Sequence, residues 1–261
     1  MDRNGTSTGV LSGRVAAVTG ATSGSGRAIA TRFAEEGASV VLLARGVSRL
    51  RELEAQLGGA VTGIPTDVGD PSSVNAAFDQ IRERHGRLDI LVNNAAVYRP
   101  CPVDSLSDDE IAQQVRTNFL GPVHTCRAAI PLLRAAGGGD IVNTSSESTL
   151  DPFPMLSIYV STKAAVEAFG QVLRSEVERD GIRVTTLVQG AAAGEGGGST
   201  DWEWDPVHGA AAMQLWESEG YLRRIHGSHG GQSVTQIADV HLFVVTLPVG
   251  QKVEVLRCRS Y

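Results

Sequence analysis

The sequence predicts an α/β fold, a single doubly wound parallel sheet of about seven strands with helices on both faces. Three observations predict it. Short β-branched runs alternate with longer helical stretches, the pattern of parallel strands joined by crossover helices. A glycine cluster stands directly between the first such run and the first helix. No internal repeat breaks the chain into a solenoid or propeller.

The elements follow in order. Val15-Ala16-Ala17-Val18 is the first strand, and its helix runs from about Arg27 to Glu36, stopping at Gly37 as a helix-ending glycine would. Ser39 to Leu43 is the second strand, Ser48 to Leu57 a helix, and Val61 to Ile64 the third strand. Ile90 to Val92, Asp140 to Thr144 and Arg183 to Leu187 continue the series, separated by helical segments over Pro71–His85, Ser107–Ala136 and Ser157–Asp180. Lys252 to Leu256 is the last strand. The expected organisation is a flexible N-terminal segment over 1–12 and one domain over 13–261. Two stretches interrupt the rhythm: the apolar, proline-containing loop 151–156, and the glycine- and tryptophan-bearing region 190–231. The second follows a late strand, on the side where such sheets bind ligands, and is the expected substrate loop.

Composition excludes several classes. Hydrophobic residues make up 42% and charged residues 20%, as in soluble globular proteins. A net charge of −6 argues against a nucleic-acid partner, which needs a basic face. Cys101, Cys126 and Cys258 are too few and scattered for a disulfide framework or zinc site, so a reduced, cytoplasmic setting is expected. No membrane partner is expected either, because no apolar run reaches spanning length and Met1–Ser12 lacks the apolar centre of a signal peptide.

Thr19-Gly20-Ala21-Thr22-Ser23-Gly24-Ser25-Gly26 offers a tight turn and a helix N-terminus, which together suit a pyrophosphate. The second strand then ends in Ala44-Arg45. A carboxylate there would accept from an adenosine ribose and repel a 2′-phosphate; a guanidinium pairs with that phosphate instead. NADP(H) is therefore expected over NAD(H). Further on, Tyr159 and Lys163 stand at i and i+4 on one helical face. A nearby ammonium favours a phenolate and suits the pair to proton transfer. Ser146 ends a strand thirteen residues earlier, placed to donate to a carbonyl oxygen that gains negative charge.

These motifs, with Asn93-Asn94-Ala95-Ala96 and Asn118, resemble the short-chain dehydrogenase/reductase family over about residues 12–190. The resemblance implies a Rossmann-like fold and an NADP(H)-dependent oxidoreductase interconverting a ketone and a secondary alcohol. Tyr159 would exchange the proton as hydride moves to or from the nicotinamide. Lys163 would hold the nicotinamide ribose and lower the tyrosine pKa, Ser146 rather than Ser145 would polarise the carbonyl, and Asn118 would support a proton relay. Gly20, Thr22, Ser23, Ser25, Gly26, Arg45, Asp67, Val68, Asn94 and Gly190, with Tyr159 and Lys163, would line the cofactor. A homodimer or homotetramer through 107–136 and 157–180 is also implied.

The chain departs from the family pattern at Ser25, where an aliphatic residue is usual, and at Ala96, where glycine is usual. It departs again at Val188-Gln189-Gly190-Ala191-Ala192-Ala193, where Pro-Gly and a threonine usually anchor the nicotinamide. Trp202, Trp204 and Trp216, with Phe153 and Met155, are placed to wall an apolar pocket, so a partly apolar ketone or alcohol is the expected small-molecule partner. Glu195, Asp201, Glu203 and Asp205 form a solvated loop edge or a field favouring a cationic substrate. His208, His226 and His229 lack metal-ligand spacing, so no metal is expected. Two other readings stay open: a nucleotide-binding regulatory or scaffold protein of the same fold, and an isomerase or lyase reusing the tyrosine.

Overall fold

The computed structural model describes residues 9–193, 204–226 and 231–259. Its strands are β1 (Val15–Thr19), β2 (Ser39–Ala44), β3 (Val61–Pro65), β4 (Ile90–Asn93), β5 (Gly139–Ser146), β6 (Ile182–Gln189), β7 (Ala192–Ala193), β8 (Gln232–Ser233) and β9 (Val255–Cys258). Its helices are α1 (Gly24–Glu35), α2 (Val47–Leu57), α3 (Pro71–His85), α4 (Asp108–Val115), α5 (Gly121–Ala135), α6 (Ser157–Val177), α7 (Pro206–Ser218), α8 (Tyr221–His226) and α9 (Val234–Val245).

Seven strands form one parallel sheet in the order β3-β2-β1-β4-β5-β6-β9. Side chains alternate across it, as strand geometry requires. Ala16 and Val18 join Ile29 and Phe33 of α1, Leu50 and Leu53 of α2 and Val244 of α9 on one face. Val15 and Ala17 join Phe78 of α3, Leu132 of α5 and Leu173 of α6 on the other. Strand order reverses between β1 and β4, which opens a crevice at the carboxyl ends of the strands.

Local chemistry sets the element ends. Asp70 caps α3 by accepting from the Ser72 N–H at 2.9 Å, and Gly86 ends it at φ 68°. Reciprocal caps start α4 (Ser107 with Glu110) and α9 (Ser233 with Gln236).

The expected helix over 107–136 is interrupted. A π-turn over Arg116–Leu120 separates α4 from α5, and the Gly121 N–H bonds back to the Arg116 carbonyl. Pro122 has no N–H to give to the Asn118 carbonyl four residues earlier, so the regular ladder cannot pass through that point. The last strand lies at 255–258 rather than 252–256, because its pairing with β6 sets Thr186 opposite Val255. Of the N-terminal segment, residues 1–8 lie outside the described residues, while Leu11 is buried and its N–H bonds to the Glu36 carbonyl at 2.9 Å. Region 190–231 is partly helical, carrying α7 and α8, and is tied down where β7 pairs with β8. Among the described residues, no helix is long and apolar enough to cross a membrane.

Candidate active site

The crevice is a cavity of about 440 Å³ that runs from the glycine turn to an aromatic wall. Gly20 adopts φ 64° and would press a Cβ against Ala95. A Cβ on Gly26 would lie 2.2 Å from the Gly20 carbonyl oxygen, so only glycine lets the turn close. Ser23 caps α1 without a side-chain hydrogen bond, and the first turn of that helix holds no acidic residue. Its N–H groups and positive dipole end therefore face the cavity as an anion cradle. Ser25 donates to the Asn94 Oδ1 at 2.9 Å and latches the turn to the loop after β4. Asn93 is a core residue, bonded to Asn143 and Thr125.

Arg45 lines this end of the cavity at the tip of β2, with Asp67 and Val68 beside it. Asp67 shapes its own loop by accepting from the Gly69 N–H at 2.9 Å. Gly20, Thr22, Ser23, Ser25, Arg45, Asp67, Val68, Asn94, Ser146, Tyr159, Lys163 and Gly190 thus surround one cavity. Gly26 and Asn118 stand behind its wall.

At the other end, β5 delivers two serines with different fates. Ser145 borders the cavity but is buried, and its hydroxyl is engaged in donating to the Glu167 Oε1 at 2.5 Å. Ser146 lines the cavity and is hydrogen-bonded to the Tyr159 hydroxyl; its Oγ accepts from the Ser148 Oγ at 2.9 Å. Lys163, only 3% exposed, sends its Nζ to the Thr144 carbonyl at 2.7 Å and lies 5.8 Å from the Tyr159 ring centre. Further along α6 the packing is close, since a Cβ on Gly170 would lie 2.8 Å from the Thr186 hydroxyl of β6. Asn118 is fully buried in the π-turn. Its Oδ1 accepts from the Val97 N–H at 2.8 Å, and its Nδ2 donates to the Val97 carbonyl at 2.7 Å and to the Thr162 hydroxyl at 3.2 Å.

The electrostatics differ from expectation in one respect. Burial pushes the Tyr159 phenol up to about 12, opposed by the Ser146 hydrogen bond. The Lys163 ammonium is not what sets that value: burial drives the lysine itself down to about 8. Each group is displaced toward its neutral form by loss of water.

Above Tyr159 lies an aromatic wall. Tyr98 packs against it with ring centres 5.5 Å apart, Trp204 meets Tyr98 edge-on at 5.3 Å, and Phe153 meets Trp216 at 5.4 Å. The Trp216 indole donates to the Pro154 carbonyl at 2.9 Å. Met155 packs beside this cluster and holds the left-handed φ of 67°, unusual for a residue with a side chain. Trp202, Glu195, Asp201, Glu203 and His229 lie outside the described residues, as does the His226 side chain. His208 stands 3.3 Å from the Asp205 carboxylate, and no group of three metal-ligating side chains gathers among the described residues.

Sequence reasoning missed Tyr98 and Glu147. Tyr98 stands four residues beyond Asn94, an aromatic in a loop already assigned to the site. Glu147 directly follows Ser146, an acidic residue at a buried strand end, and that position was the available signal. Its Oε1 accepts from the Ala191 N–H at 2.8 Å and so holds the atypical 189–193 stretch. Burial pushes its carboxyl up, against the Ala191 hydrogen bond and the Arg259 guanidinium.

A family model described as short chain dehydrogenase matches residues 14–199. The chain is 36% identical to the D-threitol dehydrogenase of Mycolicibacterium smegmatis over 208 residues, 78% of this chain and 79% of that one. The crystal structure of an L-sorbose reductase from Gluconobacter frateurii, complexed with NADPH and L-sorbose, matches with a TM-score of 0.78 and 31% identity, covering 97% of both chains. A metagenomic short-chain oxidoreductase in complex with NADP matches with a TM-score of 0.78 and 26% identity, covering 97% of this chain and 99% of that one.

Proposed function

The chain belongs to the short-chain dehydrogenase family of oxidoreductases, and from that premise we propose that it reduces a partly apolar ketone to a secondary alcohol, reversibly, with NADP(H). The observation that carries this reading is the meeting of the Ser146 and Tyr159 hydroxyls in a cavity that also holds Arg45 and the glycine cradle. The solved relatives bound to NADP and NADPH support the choice of cofactor.

The cofactor, when bound, supplies or accepts the hydride. The glycine turn and the α1 N-terminus fit its pyrophosphate, Arg45 its 2′-phosphate, and Asn94, Lys163 and Gly190 its nicotinamide half. Ser146 accepts from Ser148 and is hydrogen-bonded to the Tyr159 oxygen, so its own proton can turn from the phenol to a substrate oxygen. Tyr159 holds a proton at neutral pH and gives it to that oxygen as negative charge develops there. Lys163 fixes the approach by anchoring α6 to the Thr144 carbonyl. Tyr98, Trp204, Phe153 and Trp216 exclude water and favour an apolar body on the ketone. Subunit contacts through α4, α5 and α6 would make the enzyme a dimer or tetramer; the exposed Val172 on α6 supports this.

Mixing the protein with NADPH and a panel of ketones, and following nucleotide absorbance, tests the reading. Turnover of at least one ketone is expected. Trp204→Ala should raise KM for a phenyl ketone about tenfold and leave that for acetone nearly unchanged. Tight NADPH binding without turnover of any ketone or alcohol would instead favour a nucleotide-binding scaffold.

A further inference from the structure

The cavity wall carries a carboxyl that the proton-transfer scheme does not use. Glu147 is 7% exposed and lines the same cavity as Ser146 and Tyr159. Its Oε1 is taken by the Ala191 N–H; among the described residues no donor reaches Oε2 and no cation stands within ion-pair distance. Gln189 lines the cavity next to this group, and its Oε1 is buried without a partner. An ionised carboxylate can only accept hydrogen bonds, whereas the Gln189 amide carries an N–H donor as well as its oxygen. Glu147 therefore presents an acceptor oxygen to the cavity, next to the serine that meets the substrate carbonyl. Burial raises the Glu147 carboxyl, the Ala191 N–H and the field of Arg259 oppose that rise, and the field of Glu147 reaches the Tyr159 phenol.

We propose that Glu147 sorts substrates by charge, taking ketones with a hydroxyl or amine donor beside the carbonyl and refusing those with a carboxylate there. The proposal rests on the reading of this cavity as a carbonyl site. A carboxylate ligand would meet like charge in a partly dehydrated wall, while a donor would gain a charge-assisted hydrogen bond.

Three ketones that share one phenyl carbonyl test it: 2-hydroxyacetophenone with a donor, propiophenone with neither group, and phenylglyoxylate with a carboxylate. Each is titrated into the protein–NADPH complex by fluorescence of the bound nucleotide, and kcat/KM is measured alongside. The wild-type protein should bind them in that order, with about a hundredfold between first and last. Glu147→Gln keeps an acceptor for the Ala191 N–H, and should shrink the hydroxyl-to-carboxylate ratio at least about tenfold while NADPH affinity and Tm barely move. An unchanged ratio overturns the proposal. So does a variant that loses NADPH affinity alone, because the carboxyl would then serve the cofactor. Should the variant not fold, the wild-type order decides by itself, and equal binding of phenylglyoxylate and 2-hydroxyacetophenone overturns the proposal. Sorted binding without reduction of any ketone would leave this inference standing and defeat the proposed activity.

Discussion

Tyr159 and Lys163 illustrate how burial, rather than pairing alone, decides a proton's position. Spacing brings them to one helical face, but the structure sends the lysine Nζ to the Thr144 carbonyl and pushes the phenol up to about 12. A phenol raised this far keeps its proton across neutral and mildly alkaline pH, the state that donates during reduction. Oxidation needs the proton lost, so its dependence has the opposite sign. Initial rates measured from about pH 6 to about pH 10 should show oxidation rising throughout while reduction holds nearly level. A reduction rate that collapses near neutrality would assign the proton to another group. Ser146, Tyr159 and Lys163 were legible as residue types at fixed spacing, and Asn118 only through the family resemblance. The direction of the tyrosine's shift was not, because desolvation depends on what covers the ring, here Tyr98, which Trp204 meets in turn.

Among elements, the π-turn between α4 and α5 matters most to the site. It places Asn118 where one amide satisfies both the N–H and the carbonyl of Val97 and also reaches Thr162, the neighbour of Lys163. Asn118→Ala leaves those buried backbone groups unpaired and should cost about 3 kcal/mol in denaturant unfolding, with a lower kcat per folded molecule. Unchanged stability would show that water replaces the amide. The sequence hides this break because a proline in the first turn of a helix is compatible with helical patterning. Two more helices escaped for similar reasons. Helix α9 is apolar on several sides and has a weak period, so its readable signal was the Ser233–Gln236 cap. Helix α7 follows a glycine run, and only Asp205 capping Val207 and His208 ahead of Pro206 marked its start.

Over the whole molecule, stability and chemistry sit at opposite ends of the strands. At the amino end of β5, Asp140 is held by Arg14 at 2.7 Å and by Arg183 through two bonds of 2.7 and 3.1 Å, tying β1, β5 and β6 together. Asp140 is 3% exposed while its partners are about a quarter exposed, so losing it strands cations that water can partly reach. Asp140→Ala should destabilise the fold by about 3 kcal/mol and leave kcat per folded molecule unchanged; a matching loss of kcat would contradict this separation of roles. The sheet itself was legible because crossover topology imposes a pattern on composition. The cavity's aromatic wall was legible only as a tryptophan-bearing segment, since its contacts join residues more than a hundred positions apart, such as Tyr98 and Trp204. At the carboxyl ends everything converges on one claim, that the Tyr159 hydroxyl transfers the proton. Its most direct measurement compares Tyr159→Phe with the wild type, using NADPH binding by fluorescence and ketone reduction by absorbance. We expect kcat to fall at least about a hundredfold with NADPH affinity within about twofold; a variant that reduces the ketone at the wild-type rate would contradict the account.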